Sequence, residues 1–139
     1  MGCSSALETV MMISDDFYVF ADRFHLKNVL ATIFDNAIKY SSKEDSEDII
    51  LIETVAYKEN GLAVISISDN GPGIAKEHLP HIFEKFYRVP QGDIQQARGY
   101  GLGLFYAKNI IEQHGGEISA ISSIGKGTTF TITLPDNNS

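Results

Sequence analysis

Two alternating stretches limit this chain more than any other feature. Ala63, Ile65 and Ile67 alternate with Val64, Ser66 and Ser68, and Phe130, Ile132 and Leu134 alternate with Thr129, Thr131 and Thr133. Successive side chains of a strand point to opposite faces, so both runs describe strands buried on one side. Such a sheet needs a cover on one face only. The cover is in the sequence. Leu26, Val29, Leu30, Ile33, Phe34, Ala37 and Ile38 recur at steps of three and four, a broad apolar stripe that predicts a helix over about 22–40 behind an Asp22 cap. A second helix is predicted over about 102–114, with Leu104, Ala107, Ile110 and Ile111 inward and Gly115-Gly116 ending it.

Further strands are expected at 7–13 and 17–20, separated by Ser14-Asp15-Asp16, and at 49–57 and 117–122. Lys58-Glu59-Asn60-Gly61 joins 49–57 to 62–68 with a hairpin signal. Residues 41–48 read as a polar loop, 76–87 contain a short helix and an aromatic cluster, and 89–100 follow no period and read as mobile. Strands arrive in hairpins rather than singly between helices. The expected fold is therefore α+β: an α/β sandwich with a mixed, largely antiparallel sheet and helices packed on one face, not a doubly wound fold. The chain, 1–139, reads as one domain with its core at about 7–135.

Composition removes several functions. Eleven Lys and Arg against eighteen Asp and Glu leave a net charge of −7, which argues against nucleic acid as a partner. One Cys excludes an internal disulfide, and the scattered His have no metal-ligand spacing. No apolar run reaches the roughly 20 residues of a membrane span. Met1-Gly2-Cys3-Ser4-Ser5-Ala6 fails the myristoylation pattern at its sixth position and reads as a start codon and cloning scar on a fragment. A cytoplasmic, monomeric domain without direct membrane contact is expected.

Chemistry gathers in three glycine-rich turns: Asp69-Asn70-Gly71-Pro72-Gly73, Gly99-Tyr100-Gly101-Leu102-Gly103, and Gly125-Lys126-Gly127-Thr128-Thr129. Each by itself can be an ordinary turn. Together, and with one running into a helix whose free N–H groups favour anions, they also fit a phosphate-bearing ligand. Neither Walker A nor GxGxxG is present. Asp69 follows Ile67 on the apolar side of its strand, an unfavourable place for a lone carboxylate. It is either a turn residue holding the backbone of Gly71 or an acceptor for an exocyclic amino group such as adenine N6, and spacing leaves both open. Asn28, Thr32, Asn36 and Lys39/Tyr40 form a polar line along the first helix, either a solvated face or a place for a divalent cation and phosphates. Phe83-Glu84-Lys85-Phe86-Tyr87-Arg88 reads as an aromatic anchor, and Arg88 and Arg98 flank the aperiodic segment.

In combination these residues resemble the ATP-binding catalytic domain of bacterial sensor histidine kinases, within the GHKL superfamily, from about Asp22 to Leu134. Residues 32–41 are similar to the N box, 69–74 to the G1 box, 83–88 to the F box, 99–104 to the G2 box and 125–130 to the final glycine box. The resemblance implies Asn36 as the Mg²⁺ ligand and Asp69 as the acceptor for adenine N6, with Gly73 and Thr128 completing the adenine end partly through water and Gly71, Ile74, Phe83 and Thr129 as further nucleotide-binding residues. It places Lys39 and Arg88 at the phosphates, makes them with Asn36 the catalytic groups, and sets Tyr40 near the nucleotide. It gives the backbone N–H groups of Gly101, Gly103 and Leu104 to the phosphates, adds Gly99 and Leu102 as nucleotide-binding residues, and makes 89–100 the ATP lid. One position departs: Thr32 stands where the N box has Asn and where ATPases of the superfamily carry a water-activating Glu.

None of His25, His78, His81 or His114 has the acidic context of the family's phosphoacceptor. The implied acceptor His lies on a separate dimerisation domain of a longer, membrane-anchored sensor, with a response regulator downstream. The alternatives are an anti-sigma-factor-type serine kinase of the same superfamily and a non-catalytic nucleotide-binding docking module.

Overall fold

The computed structural model describes residues 7–13, 22–41, 50–87 and 103–135, with side chains described for all of these except 7 and 39–41. Strand β1 (Leu7–Ile13) is followed by helix α1 (Arg23–Ser41), strands β2 (Ile50–Glu59) and β3 (Leu62–Asp69), and a single 3₁₀ turn at Leu79–His81. Helix α2 (Gly103–Gln113) and strands β4 (Glu117–Ser123) and β5 (Gly127–Pro135) complete the order. The strands expected at 17–20 and the segment 89–100 lie outside the described residues.

Among the described residues, five strands form one sheet in the order β1-β2-β3-β5-β4. β1 runs parallel to β2 and the other three neighbouring pairs are antiparallel, so the sheet is mixed and largely antiparallel, as expected. The β2–β3 hairpin turns at Asn60-Gly61, where both residues have positive φ, the requirement that makes Asn-Gly a hairpin signal.

Register builds the core in ranks that cross the sheet. Thr54, Ile67, Phe130 and Ala120 face one another from β2 to β4, and Ala56, Ile65, Ile132 and Ile118 form the next rank. The helices lie on this face. Val29, Ile33 and Ala37 of α1, four residues apart, are fully buried, and Ala107, Ile110 and Ile111 of α2 join them in one continuous core. Thr54 interrupts this core: among the described residues its buried hydroxyl has no hydrogen-bond partner.

The two helices are tied at their far ends. Asp22 caps α1 by accepting the His25 N–H at 3.0 Å. Its own N–H donates to His114 Nε2 at 3.1 Å, while His114 Nδ1–H donates to the Ile110 carbonyl at 2.8 Å. The neutral Nδ1–H tautomer of His114 satisfies both contacts. His25 and His114 thus serve as caps and ties. The segment 76–87, expected to contain a short helix, coils through turns around that one 3₁₀ turn, with Pro80 in its first turn.

Two predictions follow from the packing. Ile132→Ala removes a fully buried side chain and lowers unfolding free energy by about 2–5 kcal/mol in urea titrations, whereas Thr54→Val holds or raises it. The His25 N–H, and after it the neighbouring His25 ring and the Phe24 N–H, hold the Asp22 carboxyl below its ordinary pKa. A depressed folded pKa stabilises above the ordinary carboxylate range and ceases to do so as pH falls through the folded value. Asp22→Ala should therefore lower Tm at neutral pH, and the gap from the unmodified protein should close as pH drops below about 4.

Candidate functional site

One rank beyond Ile67 and Phe130 the inward face of the sheet turns polar. Asp69 ends β3, Thr128 is the second residue of β5 and Ser122 the last but one of β4, with Thr128 and Ser122 directly paired. Asp69 Oδ1 accepts the Gly71 N–H at 2.8 Å and the Thr128 N–H at 3.3 Å. The carboxylate is thereby both a turn residue and a link between two hairpins. Ser122 uses its whole hydroxyl. It donates to the Gly127 carbonyl at 2.9 Å and accepts the Ile74 N–H at 2.7 Å. With its one proton engaged, it accepts from the Thr128 hydroxyl at 2.8 Å.

These bonds need the two glycine turns to touch. The Gly125 N–H donates to the Pro72 carbonyl at 2.8 Å. Gly73 has φ +83°, and a Cβ there would lie 2.2 Å from the Ser123 carbonyl oxygen. Gly127 has φ +113°, and its Cβ would lie 2.0 Å from the Asp69 carbonyl oxygen. Glycine at these two positions is a condition of assembling the site.

The helices supply the opposite wall. A cavity of about 40 Å³ opens between the layers, with Asn36 of α1 facing Asp69 and Thr128 across it. Ile74, Ile82, Leu104 and Phe130 make its surface mostly apolar, and Tyr87 closes one side. Leu104 lies in the first turn of α2, so that helix's unpaired N–H groups open beside the cavity. The two helices approach closely here: a Cβ on Gly103 would lie 3.1 Å from Thr32 Cγ2. A larger, more open hollow of about 430 Å³ lies around the end of the sheet, bounded by Leu51, Glu53, Ile121 and Lys126.

Of the residues singled out in the sequence, Asn36, Asp69, Ile74, Leu104 and Thr128 converge on one cavity, with Gly71 and Gly73 in the loop that shapes it. Gly103 is the first residue of α2. Phe83 is not a wall but a support, edge-on to Phe130 with ring centroids 6.3 Å apart. Thr129 is not brought in: it points to the other face, where its hydroxyl meets Ser68 at 2.8 Å. The side chains of Lys39 and Tyr40, and all of Arg88, Gly99, Gly101 and Leu102, lie outside the described residues. Sequence reasoning missed Ser122, and it named Tyr87 only within the aromatic anchor, not as a residue of the site. Ser122 was accessible, since it shares the inward parity of Ile118 and Ala120.

Residues 21–138 match the family model described as histidine kinase-, DNA gyrase B- and HSP90-like ATPase. The chain belongs to that family. It is 47% identical over 117 residues to the sensor protein RprX of Bacteroides fragilis, a match that covers 84% of this chain and 22% of RprX. It thus spans less than a quarter of that relative's length. The catalytic domain of the histidine kinase ThkA, in a nucleotide-free form, superposes with a TM-score of 0.77 at 26% identity, covering 94% of this chain and 80% of that one. Full-length ShkA in complex with AMPPNP gives 0.75 at 26% identity, covering 93% of this chain and 25% of that one. The relatives are sensor histidine kinases, and the part that this chain matches is their ATPase catalytic domain.

The glycine contacts yield a paired test. Gly125 and Gly127 both have positive φ, but a Cβ on Gly125 meets nothing within 4 Å. Gly127→Ala should therefore depress Tm well beyond Gly125→Ala in thermal scans, because it adds a backbone collision to the shared strain.

Proposed function

We propose that this chain binds ATP in the cavity between α1 and the polar rank and presents the γ-phosphoryl group to a histidine on a separate dimerisation and phosphoacceptor domain. The observation that carries this reading is the convergence of Asp69, Thr128 and Asn36 on one apolar cavity beside the N-terminus of α2. A carboxylate at an apolar wall can accept from an exocyclic amino group, a contact that a base lacking one does not make. Gly71 and Thr128 fix its Oδ1, so the group is oriented before ligand arrives. The Thr128 hydroxyl, donating to Ser122, keeps lone pairs to accept from the ligand or from water.

Asn36 would hold Mg²⁺. Among the described residues no three His, Cys, Asp or Glu gather as a metal cage. A single amide oxygen suits a hard cation that retains waters and shares phosphate oxygens, so the donor set fits Mg²⁺ arriving with its nucleotide. Bound there, Mg²⁺ would neutralise phosphate charge. By the family likeness Lys39 and Arg88 would supply further positive charge to the phosphates and Tyr40 would pack near the nucleotide, while the free N–H groups of the first turn of α2 would take remaining oxygens. Phosphoryl transfer needs mainly such positioning and charge neutralisation. Thr32 carries no carboxylate to activate water, so hydrolysis is slow relative to transfer. In the longer sensor the reaction occurs on the cytoplasmic side and feeds a response regulator. Among the described residues no helix is long and apolar enough to cross a membrane.

Calorimetric titration of the chain with a non-hydrolysable ATP analogue, with and without Mg²⁺, should give a dissociation constant between about 1 μM and 1 mM. Asp69→Asn replaces part of the acceptor with a donor and should weaken binding at least about tenfold. Asn36→Ala should abolish transfer to a supplied phosphoacceptor domain while leaving the fold intact by circular dichroism. A folded chain that binds no analogue overturns the reading.

A further inference from the structure

Between Ala75 and Tyr87 the backbone coils through successive bonds three residues apart. His78 donates to Ala75, His81 to His78, Glu84 to His81 and Tyr87 to Glu84, at 2.9, 2.9, 2.9 and 3.2 Å. Side chains three apart eclipse one another in such a coil. His78, His81, Glu84 and Tyr87 therefore share an edge, while Leu79, Ile82 and Phe83 turn to the core.

That edge is bonded along its length. His81 Nδ1 meets Glu84 Oε2 at 2.8 Å, and the His81 ring lies 5.4 Å from the Tyr87 ring at an interplanar angle of 30°. His78 Nδ1 meets the Tyr87 hydroxyl at 2.5 Å. In the Nε2–H tautomer of His78, Nδ1 accepts from the Tyr87 hydroxyl, and Nε2 faces solvent near Glu77. The His78 side chain is 21% exposed, so the bond is only partly open to competing water.

Tyr87 matters because it is a wall of the nucleotide cavity. The other walls are set by α1, α2, the strands, the core or, for Ile74, by Ser122. Tyr87 instead follows Phe86, whose φ of +68° breaks the local coil in a conformation uncommon for an aromatic residue. Regular structure does not aim this ring. Its hydroxyl bond to His78 and its contact with His81 do.

We propose that His78 is a positioning residue for the nucleotide site, acting through the Tyr87 hydroxyl. The inference rests on the ATP reading above and assigns His78 no contact with the nucleotide. With the bond in place the ring is ordered before ligand enters. Without it, the ring must be ordered at the moment of binding, and affinity falls.

The test is a double-variant cycle in the full 139-residue chain, titrated with a non-hydrolysable ATP analogue. His78→Ala and Tyr87→Phe should each raise the dissociation constant about three- to tenfold, the loss of one hydrogen bond. The double variant should be no weaker than the weaker single one. His78→Asn, whose amide puts a hydrogen-bonding atom near the Nδ1 position, should bind within about twofold of the unmodified chain. Unchanged affinity in Tyr87→Phe, multiplicative losses in the double variant, or a folded His78→Asn as weak as His78→Ala overturns the proposal. Should His78→Ala fail to fold, Tyr87→Phe and His78→Asn decide alone. Failure of the folded, unmodified chain to bind overturns the ATP reading and this inference with it, a result distinct from binding that the variants leave untouched.

Discussion

The carboxylate of Asp69 stands where the apolar ranks of the sheet would otherwise continue. Its neighbours one step back, Ile67 and Phe130, are buried. An ionised group in that position requires donors on its oxygens, and the chain supplies backbone N–H groups from Gly71 and Thr128, fifty-nine residues away from Asp69 in the second case. Meeting that requirement determines much else. Thr128 can come so close only because Gly127 has no side chain, and the loop after Asp69 lies under the β4–β5 turn only because Gly73 has none. Ser122 then closes the arrangement by linking Ile74, Gly127 and Thr128 through one hydroxyl.

The helical layer is positioned by different means. Val29, Ile33 and Ala37 place α1 over the sheet, and the same helix carries Asn36, one residue from Ala37 and therefore at the margin of the packed stripe rather than within it. Tight packing here aims a polar side chain: Asn36 reaches the cavity because its neighbours cannot leave the core. The contact between Thr32 and Gly103 brings the start of α2 to the same place. The tie between Asp22 and His114 secures the far end of α2 against the start of α1, so α2 is held at both of its ends.

Much of this was legible because period two and period 3.6 act locally. The alternation of Ile65, Ile67 and Asp69 already put a carboxylate on the covered face, and the steps of α1 already put Asn36 beside the apolar stripe. The same rule separates Thr128 from Thr129, since consecutive residues of a strand face opposite ways; grouping both with the ligand followed the family likeness rather than the pleat. Ser122 could be placed inward by parity, but its partners come from two other segments, and no local rule brings Ile74 and Gly127 to it. The pairing of His78 with Tyr87, nine residues apart, depends on a coil with a three-residue step that a 3.6-residue reading hides. The parallel pairing of β1 with β2 likewise depends on how α1 crosses the sheet, which no hairpin signal records.

The placement of β3 between β2 and β5 has a kinetic consequence. β2–β3 and β4–β5 are local hairpins, each able to zip with little loop entropy, but the β3–β5 ladder joins segments about sixty to seventy residues apart. Closing that long loop is the slow entropic step of such a topology, and Asp69 and Thr128 lie on opposite sides of the seam it creates. The binding residues meet only when the two halves of the sheet meet. A ligand gripped across that seam acts as a crosslink between halves that otherwise separate, so its occupancy registers most strongly in how long the folded chain survives before the seam parts.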